Sequence, residues 1–330
     1  MPGTEEGHMH LVDAEPSEVV QIAAPLRLAV LLPCYNEEVA IAATIAGFKA
    51  ALPGAVIYVY DNNSRDRTRE VAAAAGAVVR SERRQGKGAV VRRMFADIEA
   101  DIYIMADGDA TYDASVAPRM VARMVEENLD MIVGARVSDA AAAYRAGHRF
   151  GNAMLTGLLT RMFGQSFSDI LTGYRVFSRR FVKSFPVQSA GFEIETEICV
   201  HALELAMPVA EMPTAYGARP EGSVSKLSTY TDGFRILRMM LKLYRFERPV
   251  EFFGIIAGVL VLVAAILGAP LVITYFETGL VPRVPTAILV VGIVIVAVLC
   301  LFTGLILDTV TKGRGEVKRL IYLQNSPPRA

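Results

Sequence analysis

Asp107-Gly108-Asp109 closes the apolar run Ile102-Tyr-Ile-Met-Ala106 and sets two carboxylates one residue apart. Oxygens at that spacing can converge on one hard divalent cation, Mg²⁺ or Mn²⁺, that also grips a diphosphate, although Asp and Gly also make ordinary turns. Three other polar stretches follow apolar runs in the same way. Pro33-Cys34-Tyr35-Asn36-Glu37-Glu38 offers a ring that could stack, and Asp61-Asn62-Asn63-Ser64 offers a carboxylate that could accept hydrogen bonds from a base or ribose. Asp66 beyond it reads as a helix N-cap. Gly86-Lys87-Gly88 lets the backbone come close to a phosphate while Lys87 supplies charge; a tight turn with a solvated lysine is the plainer alternative. Four such stretches in order point to one nucleoside diphosphate rather than to four separate turns.

The elements that must position these residues alternate. Leu28 to Leu32, Val56 to Tyr60, Ala77 to Val79, Ile102 to Ala106 and Met131 to Ala135 read as strands. Between them, Glu38 to Ala51, Asp66 to Ala75, Ala89 to Ala100 and Ser115 to Glu127 have helical spacing, with stops at Pro53-Gly54 and Gly76. Interleaved strands and helices of this length imply βαβ units and a mostly parallel, doubly wound α/β sheet, whose ligands bind at the carboxyl ends of the strands.

Downstream lie groups suited to an anionic acceptor. In Asp169-Ile-Leu-Thr-Gly-Tyr-Arg175 a close Thr172-Gly173 turn could aim Arg175 at phosphate oxygens, and Arg136 is a second candidate. Arg149 is a third, with a solvated or ion-paired role equally open. Arg219-Pro-Glu-Gly-Ser-Val-Ser-Lys226 carries Arg219 and Lys226 on a Gly/Ser-rich loop. Gly191-Phe-Glu-Ile-Glu-Thr-Glu197 opens a helix with Glu193 and Glu197 on one face and Glu195 elsewhere. A carboxylate there could serve as general base to a hydroxyl, but a phosphate acceptor is already anionic and needs none.

Composition bounds the class. The chain has 330 residues, 53% hydrophobic, with 34 basic and 34 acidic side chains, so no overall field argues for nucleic acid. Cys34, Cys199 and Cys300 are odd in number and scattered, which argues against a disulfide framework or structural zinc and for a reducing compartment. Residues 1–25 are acidic and small, without the apolar segment of a signal peptide, and read as a flexible tail.

A mean hydropathy of +0.36 is high for a wholly soluble protein. The excess sits in Phe252 to Tyr275 and Thr286 to Leu307, uncharged runs long enough to span a hydrocarbon core of about 30 Å, with Pro270 a place for a kink. Arg235, Arg238, Lys242, Arg245 and Arg248 precede the pair and Lys312, Arg314, Lys318 and Arg319 follow it, whereas the turn holds only Arg283. Positive residues on both outer flanks place the catalytic domain and both termini in the cytoplasm. Apolar and basic residues alternate through Phe234 to Phe246, as in a helix lying along the membrane surface.

The ordered motifs Leu31 to Glu38, Asp61 to Ser64, Gly86 to Gly88, Asp107 to Asp109 and Asp169 to Arg175 resemble those of family 2 glycosyltransferases of the GT-A fold. The likeness covers about residues 27–230 and is nearer to the polyprenyl-phosphate sugar transferases, the branch with dolichyl-phosphate mannose and glucose synthases. It implies a nucleotide-sugar site of Pro33, Tyr35, Asn36, Glu37, Asp61, Asn63, Lys87, Asp107, Gly108 and Asp109, with Asp61 facing the base. It further implies a metal on Asp107 and Asp109, a lipid-phosphate site of Arg136, Arg175, Arg219, Ser225 and Lys226, and catalysis by Asp109, Arg175, Arg219 and Lys226. Thr111 stands where some relatives carry glutamine, so no ligand is expected from that position.

The expected organisation is a tail (1–25), a GT-A catalytic domain (26–230), an interfacial helix (231–251), a transmembrane hairpin (252–310, spans 252–275 and 286–307) and a cytoplasmic tail (311–330). The expected reaction is inverting transfer of a hexose, from UDP-glucose by preference or GDP-mannose, to a polyprenyl phosphate in the cytoplasmic membrane. Transfer to a hydroxyl is the alternative, and the absence of any Trp disfavours its processive form, which carries a Gln-x-x-Arg-Trp element. A non-catalytic nucleotide-sugar-binding scaffold is a third class, and homo-oligomerisation stays open.

Overall fold

The computed structural model describes residues 26–137, 146–164, 167–189, 191, 193–217, 219–220 and 229–328. The expected N-terminal tail, Ser225 and Lys226 lie outside the described residues. Seven strands form one sheet: β1 Leu28–Cys34, β2 Val56–Asp61, β3 Val78–Ser81, β4 Ile102–Met105, β5 Met131–Val137, β6 Arg175–Ser178 and β7 Val209–Ala215. Their order is β3-β2-β1-β4-β6-β5-β7, with β6 alone reversed. Helices α1 Ile41–Ala51, α2 Thr68–Ala74, α3 Lys87–Asp97, α4 Ala117–Glu126, α5 Ala146–Phe163, α6 Arg179–Ser184 and α7 Ile194–Glu204 belong to this α/β part. They are followed by α8 Thr229–Glu247, α9 Pro249–Thr278 and α10 Val284–Leu323.

Alternation along the strands builds two cores. Ala29 and Leu31 of β1 with Tyr103 and Met105 of β4 face α3, α6 and α7, while Val30, Leu32, Ile102 and Ile104 face α1, α2 and α4. β4 lies between β1 and β6, covered on both faces, and for that reason reads as an unbroken apolar run. The chain leaves β1 toward β2 and β3, then returns to place β4 on the other side of β1. The loops after β1 and β4 therefore lie at the switch point of a doubly wound sheet, where such folds bind their ligands. The sheet is mostly parallel as the sequence implies; β6, β7 and α5 were not foreseen.

At the C-terminus, α9 (30 residues) and α10 (40 residues) run about 45 and 60 Å and pack on each other as a hairpin. Both are long and apolar enough to cross a membrane, and only 11% of either apolar window is buried in the protein. Small residues bring them together: Ala257, Ala264 and Ala297 are buried, and a Cβ on Gly304 would meet Phe253 and the Pro249 carbonyl at 3.2 and 3.3 Å. Two expected boundaries change. Residues 249–251, read as interfacial, open α9 after a break at Arg248. Residues 311–323, read as a tail, continue α10, because the helix has packing partners beyond its apolar stretch.

Those partners lie on the α/β part. Lys318 pairs with Glu204 of α7 at 2.5 Å, and the Tyr322 hydroxyl donates to Asp130 at 2.8 Å. Asp130 is fully buried and also accepts from Ser178 and the Arg180 guanidinium, which itself covers the Tyr322 ring. The end of α10 thus locks the hairpin onto the root of the sheet. Tyr322→Phe removes one hydrogen bond to a charged acceptor and should lower the thermal midpoint of the full-length protein in detergent by the equivalent of about 1 kcal/mol. An unchanged midpoint would show that this contact does not hold the parts together.

Candidate active site

Parallel pairing brings the ends of β1, β2, β3 and β4 to one edge, with Cys34 beside Asp61 and Asp61 beside Ser81. The antiparallel β6 starts at the same edge, since Arg175 pairs with Met105, and β7 ends there. All the motif loops consequently meet. Asn36, in the left-handed region (φ 53°), accepts from the Arg65 amide at 2.8 Å on its side-chain oxygen and donates its own backbone amide to the Ser64 hydroxyl at 2.9 Å. The Asp66 carboxylate accepts from the amides of Thr68 and Glu38 and ties the first loop to the second; the N-cap position of α2 is Arg67, one residue beyond the expected Asp66. Asp61 is 3% exposed and accepts from the Ser64 amide. Gly108 packs against the first loop, and a Cβ there would lie 2.5 Å from Cys34 Sγ.

Asn62 has a role that its motif did not reveal. Its amide donates to the carbonyls of Glu82 and Arg84 at 3.0 and 2.9 Å, and its oxygen accepts from the Gly86 amide at 2.7 Å. Asn63 donates to the Arg83 carbonyl at 2.9 Å. These bonds shape the loop so that Gly86, at φ 124°, turns the chain into α3 with Lys87 as its first residue.

Lys87 was expected at a phosphate. Instead its ammonium lies 2.5 Å from Asp107 and 2.6 Å from Glu195 and is nearly buried. Burial alone would lower its pKa, but the two carboxylates outweigh burial and hold the ammonium protonated well above its ordinary range. Burial likewise pushes the Glu195 carboxyl up, against the pull of Lys87. Glu195 is the partner sequence reasoning missed; its displacement from the Glu193/Glu197 face was the available signal. Of the other two, only Glu197 makes side-chain bonds that hold the fold; the Glu193 side chain makes no cap hydrogen bond. Glu193 is the N-cap residue of α7, and Glu197 accepts from the amides of Gln188 and Ser189 at 2.8 Å each.

The Asp169 to Arg175 element requires a correction. Its turn is close, but what it presents to the site is the Gly173 backbone: a Cβ there would lie 2.5 Å from Asp107 Oδ2. Tyr112 fixes it by accepting from the Gly173 amide at 2.8 Å. Arg175 points inward and is fully buried, donating to the carbonyls of Ile170 (2.5 Å) and Thr172 (3.1 Å) and to Cys199 Sγ. It braces the loop from below rather than meeting an acceptor phosphate. Arg136 reaches the edge, yet it is gripped bidentately by Asp169 at 2.7 and 2.8 Å and so holds the same loop instead of standing open to a phosphate. The side chain of Arg149 lies outside the described residues.

Asp109 is 2% exposed, takes the Thr111 hydroxyl at 2.6 Å on Oδ1, and pairs with Arg219 at 2.7 Å through Oδ2. Thr111 is therefore a support for a carboxylate. Burial and the neighbouring Asp107 charge push the Asp109 carboxyl up. With three carboxyls (Asp107, Asp109, Glu195) ionised against two cations (Lys87, Arg219), the cluster carries −3 + 2 = −1. Among the described residues no third acidic, His or Cys ligand completes a metal cluster. Two crowded carboxylates with a net negative charge fit a Mg²⁺ or Mn²⁺ ion that draws its remaining ligands from a diphosphate and water.

The sheet order and the two-aspartate loop at the strand ends are those of a GT-A glycosyltransferase. The family model described as "Glycosyl transferase family 2" matches residues 29–185. Among curated relatives, the glycosyltransferase AglJ of Haloferax volcanii is 35% identical over 232 residues, covering 70% of this chain and 76% of its own. A dolichyl-phosphate hexose transferase of the same organism is 26% identical over 222 residues, 67% of this chain and 95% of its own. Glucosyl-3-phosphoglycerate synthase of Mycobacterium tuberculosis, solved with Mn²⁺, UDP and phosphoglyceric acid, superposes with a TM-score of 0.54 at 20% identity over 66% of this chain and 78% of its own, a likeness of fold. The chain belongs to glycosyl transferase family 2.

Arg175→Ala would strand two buried carbonyls at about 1–3 kcal/mol each. Its thermal midpoint should fall while donor and acceptor KM stay unchanged well below that midpoint. A raised acceptor KM with an unaltered midpoint would return Arg175 to the phosphate site.

Proposed function

We propose that this glycosyltransferase moves a hexose from a nucleotide sugar to the phosphate of a polyprenyl phosphate, inverting the anomeric centre, at the cytoplasmic face of the membrane. The observation that carries this reading is that, among the described residues, Asp107, Asp109, Glu195 and Glu197 are all engaged, Glu195 through one of its two oxygens. Asp107 and Glu195 hold Lys87, Asp109 holds Thr111 and Arg219, and Glu197 holds backbone amides. An acceptor that needed deprotonation would call for an unengaged base, whereas a phosphate monoester brings its own anionic oxygen.

Asp61 and the first loop receive the nucleoside, and Asp107 and Asp109 hold Mg²⁺ or Mn²⁺. When bound, that ion draws charge from the diphosphate leaving group. Lys87 remains charged between its carboxylates and offsets part of their negative charge beside the donor phosphates. Arg219, on the segment after β7, exchanges Asp109 for phosphate oxygens, and Ser225 and Lys226 act with it. A lipid phosphate oxygen then attacks the anomeric carbon in line as the bond to the diphosphate oxygen breaks; alignment and charge neutralisation do the work. The apolar hairpin and the name of the dolichyl-phosphate relative support a lipid acceptor. Basic flanks on both sides of the hairpin support the cytoplasmic placement. UDP-glucose is the preferred donor and GDP-mannose the alternative.

Incubating the full-length protein with labelled nucleotide sugars, Mn²⁺ and undecaprenyl phosphate should give a labelled glycolipid of inverted configuration, acid-labile at its phosphodiester. Label appearing only on hydroxyl acceptors, or retained configuration, would overturn the reading. Asp109→Asn should lower turnover by roughly 100-fold or more and weaken Mn²⁺ binding in parallel, with the thermal midpoint kept. Full activity in that variant would remove the metal assignment.

A further inference from the structure

On the far side of α7 from Lys87 lies a second cavity, of about 820 Å³, walled by α7, α8 and the extension of α10. Glu193, Glu197, Val200 and Glu204 line it at intervals of three or four residues, so one face of α7 looks into it. Glu195, two residues from Glu193 and from Glu197, is on the opposite face, against Lys87. A group bound in this cavity is separated from the transfer site by the helix itself.

The opposite wall is basic. Arg238, Lys242 and Arg245 recur at i, i+4 and i+7 on α8, and Arg314 joins them from α10. Among the described residues none of these four has a carboxylate partner within ion-pair distance; of the acids lining the cavity, Glu193 also stands without an ion pair, while two others are engaged. Glu197 is spent on two amides and Glu204 on Lys318. Burial and the nearby Glu204 charge push Glu247 up to about 7, so its opposing charge is partial near neutrality. Thr196 Oγ1 and His201 Nδ1, on buried residues that line the cavity, lack a hydrogen-bond partner among the described residues. Leu241, Phe246 and Phe252 add apolar surface, and Phe252 stands in the first turn of the apolar helix α9.

Four cations beside the root of a membrane helix, with apolar side chains running on from them, suit a phosphate headgroup whose acyl chains stay in the bilayer. We infer that this cavity binds an anionic phospholipid of the surrounding membrane, distinct from the acceptor, and that the lipid joins α8 and α10 to α7. The inference rests on the membrane placement of α9 and α10 proposed above and not on the transfer chemistry.

The test uses full-length protein in phosphatidylcholine nanodiscs containing a minor share of phosphatidylglycerol, with lipids retained after detergent extraction counted by native mass spectrometry. Wild type should retain phosphatidylglycerol, and the triple variant Arg238→Gln/Lys242→Gln/Arg245→Gln should bind it roughly 100-fold more weakly, at about 1 kcal/mol per cation. Circular dichroism should show the same helix content in both, and Arg238→Lys/Arg245→Lys should keep retention. Lys87→Met, inactive as a transferase on the reading above, should still retain the lipid, which separates failure of this site from failure of the transfer mechanism. Equal retention by wild type and triple variant would overturn the inference. So would displacement of the phospholipid by stoichiometric undecaprenyl phosphate, which would make this the acceptor's place, or by millimolar inorganic phosphate, which would make it a site for a soluble anion. Failure of the protein to enter nanodiscs would overturn the membrane placement on which the site depends.

Discussion

One cation held between two carboxylates organises this protein. Lys87 is the first residue of α3, Asp107 follows β4, and Glu195 lies in the first turn of α7; three elements from distant parts of the chain meet through one ammonium. A nearly buried lysine with a single partner would leave its charge poorly compensated, and two buried acids without it would repel. The cluster therefore fixes how the helices approach the sheet edge and, with Asp109 and Arg219 beside it, leaves that edge slightly negative. Asn62, Gly173 and Tyr112 serve the same geometry. They hold the Lys87 loop and the backbone against which Asp107 rests.

Engagement of the acids has a chemical consequence. A site whose carboxylates are spent on lysine, arginine and amides has little basicity to offer a neutral hydroxyl, but it can receive two phosphates if cations and a divalent ion balance them. The transferase reading follows from this balance more than from any single catalytic group. Arg219 pairs with Asp109, so on the proposed reading it is the residue whose partner would change when a metal and diphosphate bind.

The hairpin is tied to this machinery at two levels. Tyr322 and Lys318 near the end of α10 join Asp130 at the root of the sheet and Glu204 at the end of α7, whose first turn carries Glu195. The same helix whose N-terminal turn contributes to the charged cluster is thus held at its C-terminus by the extension of a candidate membrane span. Between these ends lies the cavity lined by Arg238, Lys242, Arg245 and Arg314, so that cavity and the charged cluster share one helix.

Much of the fold was legible because apolar strands buried on both faces, and the polar loops that end them, leave a strong local pattern. The order of the motifs around Asp61, Lys87 and Asp109 sufficed to place the chain in its family. Tertiary structure alone decided which charges meet. Arg175 and Lys87 are both cations close to glycines in their motifs, yet one is buried against the carbonyls of its own loop while the other lies between Asp107 and Glu195. The 311–323 segment looks like a charged tail because its stabilising partners, Glu204 and Asp130, are over a hundred residues away. Hydrophobic periodicity is written locally in a sequence, but the pairing of buried charges depends on distances between segments that only folding brings together.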